Sequence, residues 1–133
     1  MKIIVLVVLF AAVCFFLGCG DGSGEGPAVL SINDIQSDPL AFVGEITISG
    51  VAAAFSETDG DYFGVMDTAE LIACKDLNCG AFTLSARYAG EDPLPDLADI
   101  VDITGSFEQN GNDIYFAVRN FEVRRNIMNL LSD

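Results

Sequence analysis

The stretch Ile46-Thr47-Ile48-Ser49-Gly50-Val51-Ala52-Ala53-Ala54-Phe55 alternates apolar and polar side chains, then changes parity. Ile46, Ile48, Gly50, Ala52 and Ala54 share one face of an extended chain, and Glu45, Thr47 and Ser49 take the other. Val51 and Phe55 fall on the opposite parity, so the spacing predicts a long strand with a bulge or sharp bend near Gly50.

Downstream, Glu57-Thr58-Asp59-Gly60-Asp61 reads as a turn, with Asp59-Gly60 suited to positive φ. Tyr62 to Asp67 makes a second strand with Phe63 and Val65 inward, and Phe82, Leu84, Ala86 and Tyr88 mark a third. Gly90 to Asp96 carries two prolines and reads as a loop. Val101 and Ile103 lead to Gly105 in a fourth strand, and Asn110-Gly111 signals a tight hairpin. Ile114, Phe116 and Val118 form a fifth, whose switch to Phe121 and Val123 implies a bulge near Asn120. Ile48, Phe63, Val65, Phe82, Leu84, Val101, Ile103, Phe116 and Val118 are the expected core.

Upstream, Ser31 to Ser37 can form a short helix with Ser31 as cap, Asp34 at the third position and Pro39 as the stop. At the other end, Ile127, Leu130 and Leu131 suit a short C-terminal helix. Short-stranded antiparallel domains must close or cover their edges, so five strands with a long, bent first member suit a closed barrel. A small open β-sandwich is the alternative.

Asp34-Ile35, Pro39, Phe42-Val43-Gly44, Ile46 to Val51, Phe63 to Asp67 and Asp102 to Gly105 together resemble the OB-fold modules of bacterial exported proteins. The resemblance spans roughly residues 30 to 124 and implies an all-β, closed five-stranded OB-like barrel with a short N-terminal helix. One departure is that a proline-rich loop stands where such folds often carry a helix between strands three and four.

The N-terminus has its own signature. Lys2 is followed by an unbroken apolar run from Ile3 to Leu17, then Gly18 and Cys19. The run is shorter than the about 20 residues of a membrane span and suits a signal-peptide core. Ending in Phe16-Leu17-Gly18-Cys19, it resembles the lipobox of bacterial lipoproteins, although Phe16 stands where leucine is commonest. That resemblance implies cleavage before Cys19, lipid attachment to Cys19 and a membrane-anchored location in the cell envelope, facing the periplasm or exterior. In the family an aspartate after the cysteine favours inner-membrane retention; Gly20 in its place points to the outer membrane. The alternatives are a plain secretory signal or a short membrane anchor. The chain thus divides into a signal peptide (1–18), a Gly-rich tether (19–28), a barrel domain (29–126) and a tail (127–133).

Processing leaves 115 of the 133 residues, enough for one small domain. All 20 acidic residues remain against five basic ones (Lys75, Arg87, Arg119, Arg124 and Arg125), a formal charge of −15. Such a surface repels phosphate backbones and anionic lipid and favours cationic partners, such as an envelope protein with a basic surface. Solubility alone also accounts for it.

No histidine occurs, which removes Ser-His-Asp and Cys-His triads, imidazole metal sites and covalent haem attachment. Phosphate cradles are also missing, and no spacing singles out a carboxylate pair, so the expectation is a non-enzyme without cofactor. Cys14 falls in the discarded segment, leaving Cys74 and Cys79 in the domain. They suit a disulfide in an oxidising compartment. A redox dithiol, or a soft-metal site with Met66, is the alternative, defining a metal or redox accessory protein. Glu57, Asp59 and Asp61 crowd one turn, but their spacing does not match a calcium loop. OB-folds commonly bind ligands on strands two and three. With the phenylalanines inward, that outer face presents Tyr62, Gly64, Met66, Thr83, Ser85 and Arg87. One aromatic and one cation fall short of the stacked rings and basic groove that single-stranded nucleic acid needs. The expected module is therefore a binding or assembly protein, not a nucleic-acid binder, with Tyr62, Met66, Thr83 and Arg87 as its ligand face.

Overall fold

Ser31 starts the ordered chemistry of the domain by closing a capping box. Its backbone N–H donates to the Asp34 carboxylate at 2.8 Å, and the Asp34 N–H donates back to the Ser31 hydroxyl at 3.3 Å. The computed structural model describes residues 27–132, so the expectations for residues 1–18, Cys19 and most of the tether lie outside it. The capped helix α1 (Ile32–Ile35) follows strand β1 (Val29–Ser31) and buries Ile32 and Ile35 completely. A single 3₁₀ turn, Pro39–Ala41, leads to the long strand β2 (Ile46–Phe55).

Strands β3 (Tyr62–Met66), β4 (Thr83–Arg87), β5 (Asp99–Asn110) and β6 (Asp113–Asn126) complete a ring with β2. The order around it is β2-β3-β4-β6-β5, and β5 pairs back onto β2 from Ile46↔Gly105 to Val51↔Ile100. All neighbours in the ring are antiparallel except β4 and β6, which run parallel. β1 is added in parallel along the first half of β2. This is the expected five-stranded OB barrel, enlarged by one short strand.

The bulges fall close to the parity switches. On β2 the extra residue is Ala53, between Ala52↔Val65 and Ala54↔Gly64, rather than a residue at Gly50. Gly50 marks a close approach instead, since a Cβ there would overlap the Met66 carbonyl and the Val65 side chain. On β6 the extra residues are Arg119, next to the expected Asn120, and Arg124. The β5–β6 hairpin pairs Asn110 with Asp113, so Gly111 and Asn112 are its central residues, with Gly111 at φ 63°. The turn is one residue later than the Asn-Gly motif suggests.

Alternation along β2 divides the apolar side chains into two cores, one on each face of the strand. Ile48, Ala52, Phe63, Val65, Leu84, Ala86, Val101, Ile103, Phe116 and Val118 fill the barrel, with Ile32 and Ile35 packed against them. Val51, Ala53, Met66, Leu71, Ala98 and Ile127 form a smaller cluster outside the β2 wall. Phe82 precedes β4 and is only partly buried against the barrel core, a correction to its expected place.

Helix α2 (Thr68–Cys74) occupies the β3–β4 connection and is absent from the sequence reading. Its signal was present. Asp67 is the N-cap, accepting from the N–H groups of Ala69 and Glu70 at 2.9 and 3.2 Å, and Glu70 stands three residues on. The helix ends at Lys75 in the left-handed conformation, φ 59°. A C-terminal turn, α3 (Met128–Leu131), follows Ile127, which is buried in the outer cluster. The Ile127 N–H donates to the Ala98 carbonyl at 2.9 Å, and the Ala98 N–H donates to Ala52 at 2.8 Å. The connection between β4 and β5 carries no helix, as its prolines led one to expect.

Candidate functional site

Alternation along β3 and β4 puts Phe63, Val65, Leu84 and Ala86 in the barrel and turns Tyr62, Gly64, Thr83, Ser85 and Arg87 away from it. Register then gathers these outward residues, because Tyr62 pairs with Arg87 and Gly64 with Ser85. The Arg87 guanidinium carbon lies 5.7 Å from the Tyr62 ring centre, and one Nη is 3.8 Å from the Asp61 carboxylate. Tyr62 first, then a hydrogen bond with Tyr115, push the Arg87 pKa up, so this cation stays charged. Its Nε is buried and has no hydrogen-bond partner among the described residues.

Tyr115 comes from β6 and was not among the residues expected on this face. Its ring meets Tyr62 edge-on at 5.9 Å, and its hydroxyl donates to Glu108 at 2.7 Å. That hydrogen bond is the main reason the Tyr115 phenol pKa is raised. Sequence alternation places Tyr115 opposite in parity to Phe116. Only the ring order, with β6 beside β4, brings it next to Tyr62.

Two shallow hollows flank Tyr62. One, of about 270 Å³, is floored by Ala54, Phe55, Phe63 and Gly64 and edged by Thr83 and Ser85. The other, of about 500 Å³, lies between Ser85 and the β5–β6 hairpin, lined by Asp59, Asn110, Asn112, Asp113, Ile114 and Tyr115. Together they make one surface of aromatic rings, hydroxyls and amides with carboxylates at its margin.

Of the four expected ligand-face residues, Tyr62, Thr83 and Arg87 belong to this surface, and Met66 does not. Met66 has the expected outward parity, yet it is 1% exposed because helix α2 and the C-terminal turn cover that end of β3. Outward from a barrel is not the same as exposed once a helix lies on the wall.

Cys74 closes α2 and is joined to Cys79, with Cα atoms 6.5 Å apart. Both are exposed, whereas Met66 belongs to the buried outer cluster. No group of three or more Cys, Asp or Glu side chains suited to a metal occurs among the described residues. Asp59 sits at the hollow's rim, where its carboxylate accepts from the Asp61 N–H at 3.3 Å.

The ring order, the parallel β4–β6 contact and the face just described define a small OB-fold domain. The sequence matches no protein-family model and no curated protein. Among solved structures the fold is similar to that of the hypothetical protein YgiW from E. coli. The identity is 16% and the TM-score 0.48, over 73% of this chain and 90% of that one. It is also similar to a chain of the S. pombe Stn1–Ten1 complex, at 16% identity and TM-score 0.42, over 62% of this chain and 59% of that one. The OB class rests on the strand ring itself rather than on these likenesses.

Proposed function

We propose that this chain is a lipid-anchored envelope protein whose OB domain is a non-catalytic binding module for a protein partner with a basic surface. The observation that carries the reading is the open face around Tyr62. Half-buried tyrosine rings and exposed neutral hydrogen-bonding groups lie there on rigid strands, edged by Asp59, Asp61 and Asp113. A preordered surface loses little entropy on association, and its carboxylates favour a cationic partner. The same charge disfavours nucleic acid. The anchor part rests on the sequence alone, on Leu17-Gly18-Cys19 behind its apolar run. The metal-handling alternative gains no support from a buried Met66 and a pair of joined cysteines.

Two measurements in cells test the parts separately. Radiolabelled palmitate marks the native chain and not Cys19→Ala, which also leaves the membrane fraction; continued labelling of that variant removes the anchor. A photo-cross-linking amino acid at Thr83 captures an envelope protein, and Tyr62→Ala abolishes the capture. An unchanged cross-link in Tyr62→Ala removes the binding face.

A further inference from the structure

The barrel is least complete where β4 meets β6. Only Ala86↔Phe116 and Arg87↔Ala117 pair across that contact. Thr83, Leu84 and Ser85 pair with β3 on one side alone, and Asp113, Ile114 and Tyr115 pair with β5 on one side alone. Two strand edges therefore face each other across the hollow of about 500 Å³ that Ser85, Ile114 and Tyr115 line. Backbone N–H and C=O groups along an unpaired edge are a template for another strand. Three residues on each side give about 10 Å of edge, enough for three residues of extended chain.

We propose that this seam takes up an extended, basic segment of the protein partner as an added strand. The inference rests on the binding-face reading above and specifies how that face is used. The closed end of the seam is fixed by Tyr62, Arg87 and Tyr115, so an incoming segment has a defined stop. Asp113 marks its open end and Asp59, in the turn before Tyr62, stands beside the closed end; neither takes part in an ion pair among the described residues. Main-chain pairing supplies the affinity of such an added strand, and the rim carboxylates select alternate Lys or Arg side chains along it. A second copy of this chain fits poorly, because it brings the same acidic surface to the seam.

The test is fluorescence anisotropy with the full chain in neutral detergent micelles. The probes are labelled Lys-Val-Lys-Val-Lys-Val-Lys, its Glu-Val counterpart, and the basic peptide N-methylated on alternate amides. The expected result is that the basic peptide binds at least tenfold more tightly than the acidic one. N-methylation, which keeps the charge and removes backbone donors, weakens it at least tenfold. The double variant Asp59→Lys/Asp113→Lys, at two exposed positions, one in the β2–β3 turn and one at the start of β6, does the same with an unchanged circular dichroism spectrum. Equal binding after N-methylation overturns the strand mechanism, leaving charge attraction only. Undiminished binding by the double variant, self-association through the seam, or no binding of the basic peptide overturns the proposal as well. If the peptide fails while Tyr62→Ala still loses its cross-linked partner in cells, the strand inference falls and the binding face stands. If Tyr62→Ala keeps its partner, both fall.

Discussion

The α-carbon of Gly105 lies so close to the carbonyl of Ala117 that a Cβ at position 105 would overlap it. The approach sits one pair from the Arg119 bulge, where β6 tightens against β5. Because the obstructing atoms are backbone, Gly105→Ala cannot be relieved by a rotamer change. It is expected to cost about 2–3 kcal/mol, read as a lowered urea midpoint with an unchanged slope.

Phe116 fills the barrel centre, fully buried and edge-on to Phe107 at 5.1 Å. Phe116→Ala leaves a cavity that the surrounding strands cannot collapse, and is expected to cost about 3–5 kcal/mol. In a domain of this size that is a large share of the total stability. Equilibrium denaturation measures it, and a loss below about 1 kcal/mol would contradict the packing described.

Much of this barrel was legible because its strands keep strict alternation between glycine or bulge positions. Phe63, Val65, Val101 and Ile103 could be assigned to the interior from parity alone, and the short helix at Ser31 from its cap. The site was legible only in part. Tyr62, Thr83 and Arg87 lie on strands adjacent in sequence, so their shared face follows from one hairpin. Tyr115 reaches them through the parallel β4–β6 contact, a long-range pairing that no local pattern encodes. Met66 was misplaced for a related reason. Its parity is right, but it is covered by the helix that begins at Asp67, a cap that strand alternation does not report.

The Asp67 cap anchors that helix. Its carboxylate is largely buried and accepts two backbone N–H groups. Asp67→Ala is expected to cost about 1–2 kcal/mol and to raise hydrogen exchange selectively in Thr68–Cys74 and around Met66.

The two domain cysteines give a chemical check. With Cys74 and Cys79 joined, the folded domain is expected to show no free thiol under non-reducing conditions and no bound copper or zinc after purification. The bridge spans a short loop, so Cys74→Ser/Cys79→Ser is expected to lose roughly 2 kcal/mol without loss of the barrel. Two reactive thiols with stoichiometric metal would reverse the functional reading.

Asp34 supplies a pH signature. The Ser31 backbone N–H and then the Ser31 hydroxyl hold its carboxyl below the usual carboxylate range. A depressed folded pKa contributes stability above the unfolded value, and that contribution disappears as pH falls through the folded one. Asp34→Asn is therefore expected to flatten the stability curve below pH 4 while lowering stability at neutrality. An acid limb unchanged by the substitution would contradict it.

The hydrogen bond between the Thr47 and Thr104 hydroxyls joins residues 57 apart in the chain. It belongs to the β2–β5 pairing, and the ring is finished only when Ala117 of β6 reaches Arg87. Almost nothing of the barrel core can be sealed before the last strand has arrived, and such non-local closure is slow. The order of its strands keeps the core open until nearly the whole domain is available to fold.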